Sequence, residues 1–340
     1  MNPPSYIELM ESALRRIEKA GWNDRLLGAA ATSMLPAYRV LAPGGLHPSF
    51  CLETPLMGEP HCDLHVGLYK GELTEELVPD SWNEQCRAAI RFIQPYAHDS
   101  DFLFACDKHE GIPIGTVSGV YFKHKGYAYL AEGLLEAVGA NDRYPGYLDA
   151  VLRLPEGWTS LYVGHFFDRP GSPVRLEATI SPQEHDHAIR QPGLLRENLT
   201  AMGFEAMSDD MLDQAQALLE LGIPSTVQFD VNPDGSLTDA FGLTVFYEDL
   251  GAHWRTAFAK DGSAQRTLDL VTELGIADER QELLERGSFS VRAPFVDDEG
   301  RAQEAVIQSW PACCKMKWRA GTLLPAKWYQ RIEVGVREEG

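Results

Sequence analysis

Val174-Arg175-Leu176-Glu177-Ala178-Thr179-Ile180 is the stretch on which the fold turns. Its even-numbered positions are apolar and its odd-numbered ones are Arg, Glu and Thr, the period-two pattern of a strand with one greasy and one polar face. Arg169-Pro170-Gly171-Ser172, just before it, is a turn-forming cluster, and Thr159 onward reads as the partner strand. Residues 159–181 are therefore expected to form a β-hairpin.

The same signature recurs along the chain. Turn clusters at Met57-Gly58-Glu59-Pro60, Lys108-His109-Glu110-Gly111, Asn232-Pro233-Asp234-Gly235 and Asp297-Asp298-Glu299-Gly300 each separate two strand-like runs. Hairpins are expected near 49–69, 101–122, 159–181, 225–248 and 288–319, with their turn glycines about 60 residues apart. Between the hairpins the apolar period changes to that of helices. Ile7, Met10, Leu14 and Ile17 form one stripe; Ser81 with Glu84 reads as a capping box before Cys86, Ala89, Ile90 and Ile93; Tyr129 to Val138 forms a third. Leu194, Leu195, Leu199 and Met202, then Met211, Ala215, Leu218 and Leu219, fill the fourth interval, and Leu268, Val271 and Leu283 the fifth. Lys327 to Val334 reads as an extra strand after the last unit.

Repeated helix and hairpin units have two outcomes: an open α+β sheet with helices on one face, or an antiparallel sheet closed into a barrel inside a helical ring. An open sheet would turn the polar faces to bulk water. Closure would make them a solvated lumen lined by Glu53, Asp63, His65, Tyr162, Arg175, Glu177, Gln228, Asp230, Thr244, Phe246, Ser290, Arg292, Lys315 and Lys317. Gln, Thr, Ser and Tyr are prominent in that set where a plain wet face would carry more of the Lys/Glu mix, which favours closure. The expected architecture is one α+β domain spanning 1–340, an antiparallel β-barrel surrounded by helices.

Composition narrows the function. The 340 residues are 44% apolar, enough for a large core, and 50 acidic against 30 basic residues give a net charge of −20. That balance argues against a nucleic-acid or anionic-membrane partner, and any cations the protein needs must be concentrated in a pocket. No apolar run is long enough for a membrane span, and Met1-Asn2-Pro3-Pro4 lacks the layout of a secretory signal, so a cytoplasmic protein is expected. The six cysteines lack zinc-site spacing and read as buried free thiols.

This layout resembles that of the ABBA-type (PT-barrel) aromatic and peptide prenyltransferases. Ser49-Phe50-Cys51-Leu52-Glu53 is similar to the family's first strand, which carries a lumenal glutamate. Gly164-His165-Phe166-Phe167-Asp168-Arg169 leading into Val174-Arg175-Leu176-Glu177 resembles a hairpin of the peptide-modifying, cyanobactin-type branch, and Gln228 to Tyr247 resembles the hairpin that follows it. The resemblance implies a natural-product transferase that moves a prenyl group from an allylic diphosphate to an aromatic small molecule or a peptide side chain. It implies no required cofactor, with Mg²⁺ at most accompanying the diphosphate.

On that reading Arg175, Lys315, Lys317 and Arg292 would hold the diphosphate, because a multiply charged leaving group needs fixed cations. Lys315 and Lys317, two apart in a strand, share one face; they equally suit an exposed edge strand. Glu53 would orient the acceptor or take its proton. Tyr162, Phe246, Gln228 and Tyr69 would line the acceptor pocket, with the aromatic rings shielding an allylic cation.

Three rival features need weighing. His61, Asp63 and His65 project from one strand face and could act as facial ligands of Zn²⁺ or Fe²⁺ in a metal-dependent hydrolase, oxygenase or epimerase. Asp209-Asp210-Met211-Leu212-Asp213 spells DDxxD, the magnesium-diphosphate signature of all-helical isoprenyl synthases, but three carboxylates also suit the first turn of an ordinary helix. Cys313 would lie beside Lys315, which could lower its pKa, although packing explains it better. A peptide- or ligand-binding barrel without chemistry is the non-catalytic alternative.

Overall fold

The computed structural model describes residues 6–28, 49–68, 83–96, 102–106, 118–167, 171, 173–247, 253–296 and 301–336. Its strands are β1 (Ser49–Pro55), β2 (Asp63–Leu68), β3 (Phe102–Cys106), β4 (Gly119–Lys123), β5 (Trp158–Phe166), β6 (Val174–Ile180), β7 (Ser225–Val231), β8 (Leu237–Phe246), β9 (Phe289–Val296), β10 (Ala302–Arg319), β11 (Thr322–Leu323) and β12 (Lys327–Val336). The helices are α1 (Tyr6–Ile17), α2 (Glu84–Ile93), α3 (Ala128–Ala137), α4 (Tyr144–Leu152), α5 (Pro182–Arg190), α6 (Gly193–Ala201), α7 (Asp209–Leu219), α8 (Trp254–Ala257) and α9 (Ser263–Glu273).

Every strand pairing is antiparallel, and the pairings close on themselves. β1 through β8 pair in sequence, β12 pairs with β1, β10 pairs with β12, and β8 pairs with β10. Among the described residues the result is a ten-stranded ring in which each strand is paired on both sides. β6 shows why the ring has an inside: Val174, Leu176, Ala178 and Ile180 are buried outward beneath the helices, while Arg175, Glu177 and Thr179 alternate with them on the inner wall. Helices supply the outer layer with Met10, Leu14 and Ile17 from α1, Cys86, Ala89, Ile90 and Ile93 from α2, and Met211, Ala215, Leu218 and Leu219 from α7.

The C-terminal end differs from the expected five-hairpin scheme. β9 pairs with β10 over Phe289–Ser309 but lies off the ring, so 288–319 is only half a ring hairpin. The strand expected as an extra, β12, is the tenth stave. One edge of β10 serves β12, while its other edge serves β9 over residues 302–309 and β8 over 313–319. Pro311 sits at the changeover, next to a register shift at Pro311/Cys313, an irregularity of the kind at which a strand tolerates proline.

Local chemistry accounts for the other boundaries. α2 is capped by Asn83, whose side chain accepts from the Cys86 N–H at 2.8 Å, rather than by Ser81, which lies outside the described residues. α7 is capped by Ser208, and Asp209 pairs with Arg196 on the surface, so the DDxxD run is the acidic first turn of a helix. The β7–β8 turn is closed by Asn232 N–H donating to Ser236 O at 2.8 Å, with Gly235 at φ +83°.

Gly164 makes room inside the ring. A Cβ there would lie 2.8 Å from two ring carbons of Tyr121 and 3.1 Å from the Arg175 Cβ. Gly164→Ala is expected to cost about 1–3 kcal/mol of stability through overpacking, read as a lower denaturant midpoint. An unchanged midpoint would show that Tyr121 does not need that space.

Candidate active site

β1 and β6 are five staves apart in the ring of ten, so Glu53 and Arg175 project from opposite walls. On the β1 wall, Glu53 is 6% exposed; its Oε2 lies 3.0 Å from His65 Nε2 and its Oε1 pairs with the Lys327 ammonium. Burial pushes the Glu53 carboxyl upward, but Lys327 and His65 outweigh it and hold the group well below the usual carboxylate range. Glu53 is therefore a charged hydrogen-bond acceptor inside the barrel.

On the β6 wall, the Arg175 guanidinium is fixed from three sides. Nε donates to Asp230 Oδ1 at 2.9 Å, Nη1 donates to the Tyr121 hydroxyl at 2.6 Å, and its carbon lies 5.0 Å from the Phe166 ring centre. Lys317 Nζ approaches the other oxygen of Asp230 at 3.5 Å. Lys315, one pleat further along β10, donates to Gln228 Oε1. The inward position of Gly242 permits this, since a Cβ there would stand 3.1 Å from the Lys315 Cε. Burial, and then the nearby Arg175 charge, lower the Lys315 pKa to about 7.

Aromatic rings bridge the two walls. His65 stacks on Tyr121 with centroids 6.0 Å apart and meets Tyr329 edge-on at 5.8 Å. Tyr121 in turn packs edge-on against Phe166 at 5.8 Å. Ala105, Tyr121, Phe166 and Tyr162 form a second apolar cluster, separate from the main core. A cavity of about 230 Å³ lies among these groups, lined by His65, Tyr121, Tyr162, Glu177, Gln228, Phe246, Lys315 and Tyr329 among others. A second pocket is lined by Phe166, Arg175, Asp230, Lys317 and Arg319 among others.

The structure thus brings Glu53, Arg175, Lys315, Lys317, Tyr162, Phe246 and Gln228 onto the inner wall of one barrel. Tyr69 lies outside the described residues. Arg292 is corrected: it is on β9, off the ring, its side chain 64% exposed and 3.4 Å from Glu304. The proposed metal triad is also not assembled. His61 Nδ1 faces the Glu59 carbonyl at 3.2 Å in the preceding turn, His65 is engaged with Glu53, and Asp63 faces Lys327 at 3.9 Å. Among the described residues no group of three or more His, Cys, Asp or Glu side chains is placed to hold a metal ion.

Cys313 is buried, as the packing reading expects, and is not set up as a reactive thiol. Burial pushes it well above the ordinary thiol value, and Lys315 does not offset that. The sequence reading passed over Tyr121, Asp230 as a salt-bridge partner, Lys327, Tyr329 and Arg331. A signal for three of them was present: Lys327, Tyr329, Arg331 and Glu333 alternate with Trp328, Gln330, Ile332 and Val334, the same two-faced pattern as β6.

Among the described residues no helix is long and apolar enough to cross a membrane. No protein-family model matches the chain, and no curated protein sequence matches it. Solved structures do resemble it. The apo form of the prenyltransferase PriB superposes with a TM-score of 0.54 at 13% identity, covering 97% of this chain and 96% of that one. PriB in ternary complex with L-tryptophan and dimethylallyl thiolodiphosphate gives 0.51 at 13% identity, covering 99% of both chains. The 5-dimethylallyltryptophan synthase from Streptomyces coelicolor gives 0.52 at 11% identity, covering 98% of both. By its closed ten-stranded antiparallel ring, its outer helices and these full-length superpositions, the chain has the fold of the ABBA prenyltransferases.

Proposed function

We propose that this chain transfers an allylic prenyl group from its diphosphate to an aromatic acceptor inside the barrel. The observation that carries the reading is the opposition of Arg175 and Glu53 across one lumen, with Tyr121 and His65 between them. Diphosphate bound by Arg175, Lys317 and Lys315 leaves with the electron pair of the allylic C–O bond, and fixed cations favour that charge development. The allylic cation is held against Tyr121, Tyr162, Tyr329 and Phe246, whose ring faces stabilise it without trapping it. The acceptor ring then forms the new bond and loses a proton to the Glu53–His65 pair. An indole or phenol N–H or O–H hydrogen-bonded to Glu53 would be oriented for that attack and made more electron-rich by it. No step is assigned to Mg²⁺.

The solved relatives support the pairing of substrates, since one of them holds L-tryptophan with an allylic thiolodiphosphate. We therefore favour a tryptophan-like aromatic acceptor over a peptide side chain. The reading is tested by titrating purified protein with dimethylallyl thiolodiphosphate, then assaying dimethylallyl transfer to a panel of indoles and phenols by mass spectrometry. Saturable binding and a product one prenyl group heavier are expected. Absence of binding to the donor analogue would defeat it.

The same titration carries a pH prediction. Lys315 in the empty barrel has its pKa lowered to about 7, so below that pH it is an ammonium and above it an amine. Donor affinity is expected to be strongest near pH 6 and to weaken as the pH rises through 7, although the diphosphate itself gains charge over that range. Lys315→Met should flatten the profile; a profile equally steep in that variant would place the titrating group elsewhere.

A further inference from the structure

Asp230 is out of place in a pocket for an anion. It is 9% exposed on β7, cross-strand from Arg175, and its two oxygens are shared between Arg175 Nε at 2.9 Å and Lys317 Nζ at 3.5 Å. It also lines the second pocket, together with Arg175, Lys317 and Arg319. Any diphosphate reaching these cations comes within a few ångströms of a carboxylate already bound to two of them.

We propose that Asp230 is a resident counter-anion of the donor pocket: it holds Arg175 and Lys317 in position while the pocket is empty, and it weakens diphosphate binding so that the leaving group departs after transfer. The inference rests on the prenyl-transfer reading above and makes Asp230 a positioning residue that sets donor affinity. Two observations support it. First, the Arg175 guanidinium is also held by the Tyr121 hydroxyl and the Phe166 face, so two of its three holds remain when the charge of Asp230 is removed. Second, although burial favours its neutral form, Arg175, Lys317 and Lys315 keep the Asp230 carboxyl ionised, well below its ordinary value. A full negative charge therefore remains beside the position expected for the leaving group.

The chemistry separates this role from simple scaffolding. Asp230→Asn keeps an oxygen for Arg175 Nε while removing the charge. If Asp230 only held Arg175 in place, loss of the ionic contact would loosen the pocket and weaken diphosphate binding. If it competes with the ligand, binding tightens, because removing a like charge at contact range is worth about tenfold in affinity even at the screening of a partly wet site. Tighter binding of the departing diphosphate then slows turnover.

Calorimetric titration of the full-length protein with inorganic diphosphate, and with dimethylallyl thiolodiphosphate, tests this directly. Asp230→Asn is expected to bind both about tenfold more tightly than the parent, with a lower donor KM and a lower kcat limited by diphosphate release. Asp230→Ser, which is small and uncharged, gives the same direction and serves if the asparagine variant does not fold. Equal or weaker binding in the folded variant overturns the inference while leaving prenyl transfer intact. No binding of either ligand by the parent protein overturns the donor reading itself, and this inference with it.

Discussion

Glu53→Gln is expected to lower kcat by two to four orders of magnitude, the usual range for loss of a positioned acid–base group, written as ~10²–10⁴. The substitution preserves volume and one oxygen but removes the charge that Lys327 and His65 hold in the ionised state. Without that charge the acceptor N–H or O–H is not drawn toward the cation, and the proton released on rearomatisation has no anionic receiver. On the proposed reading the diphosphate lies with Arg175 across the lumen from Glu53, so the affinity for dimethylallyl thiolodiphosphate should be nearly unchanged. This split between intact donor binding and lost turnover is the diagnostic result. A variant that turns over at the parental rate would remove Glu53 from the mechanism.

Arg175→Ala should act on the other substrate. The guanidinium is the most constrained cation of the lumen, and its removal withdraws a charge-assisted contact to the diphosphate. Donor affinity is expected to fall by about 100-fold, in line with truncation of one partner of a buried charge pair. The same change takes from Asp230 its hydrogen-bonded cation and from the Tyr121 hydroxyl the Arg175 contact, so stability should drop by about 3 kcal/mol. Donor binding must therefore be measured at a temperature where the variant is folded, verified by near-ultraviolet circular dichroism. Lys317→Ala removes a more exposed cation and should cost less on both counts. If folded Arg175→Ala binds the thiolodiphosphate as tightly as the parent, the diphosphate is held elsewhere.

Much of this arrangement was legible in the sequence, for a specific reason. Period-two alternation reports the face of a strand, and in β6, β7 and β8 the apolar face was unambiguous, so Arg175, Gln228, Asp230 and Phe246 could be placed on the same side before any coordinates. What alternation does not report is which strand pairs with which. Arg292 has the right alternation within β9, yet the two-sided use of β10 leaves β9 off the ring. β12 has equally clear alternation, but the regular spacing of turns assigned its antiparallel neighbour β10 to a hairpin with β9 and set β12 aside, and Lys327, Tyr329 and Arg331 with it. Helix α4 opens with Tyr144-Pro145-Gly146-Tyr147, where proline is tolerated because it stands at the helix start. Gly146 is needed there because a Cβ would stand 2.5 Å from the Pro233 carbonyl oxygen.

The pairing of β1 with β12 joins Phe50 to Ile332, almost the whole length of the polypeptide apart. The barrel can shut only after the ribosome has released the residues of β12. Until then the nascent sheet presents two unsatisfied rims, β1 at one margin and β8, later β10, at the other, and such rims invite aggregation. High contact order of this kind makes folding slow. Heterologous production should therefore gain more from lowered temperature and chaperone supply than from any change at the protein surface.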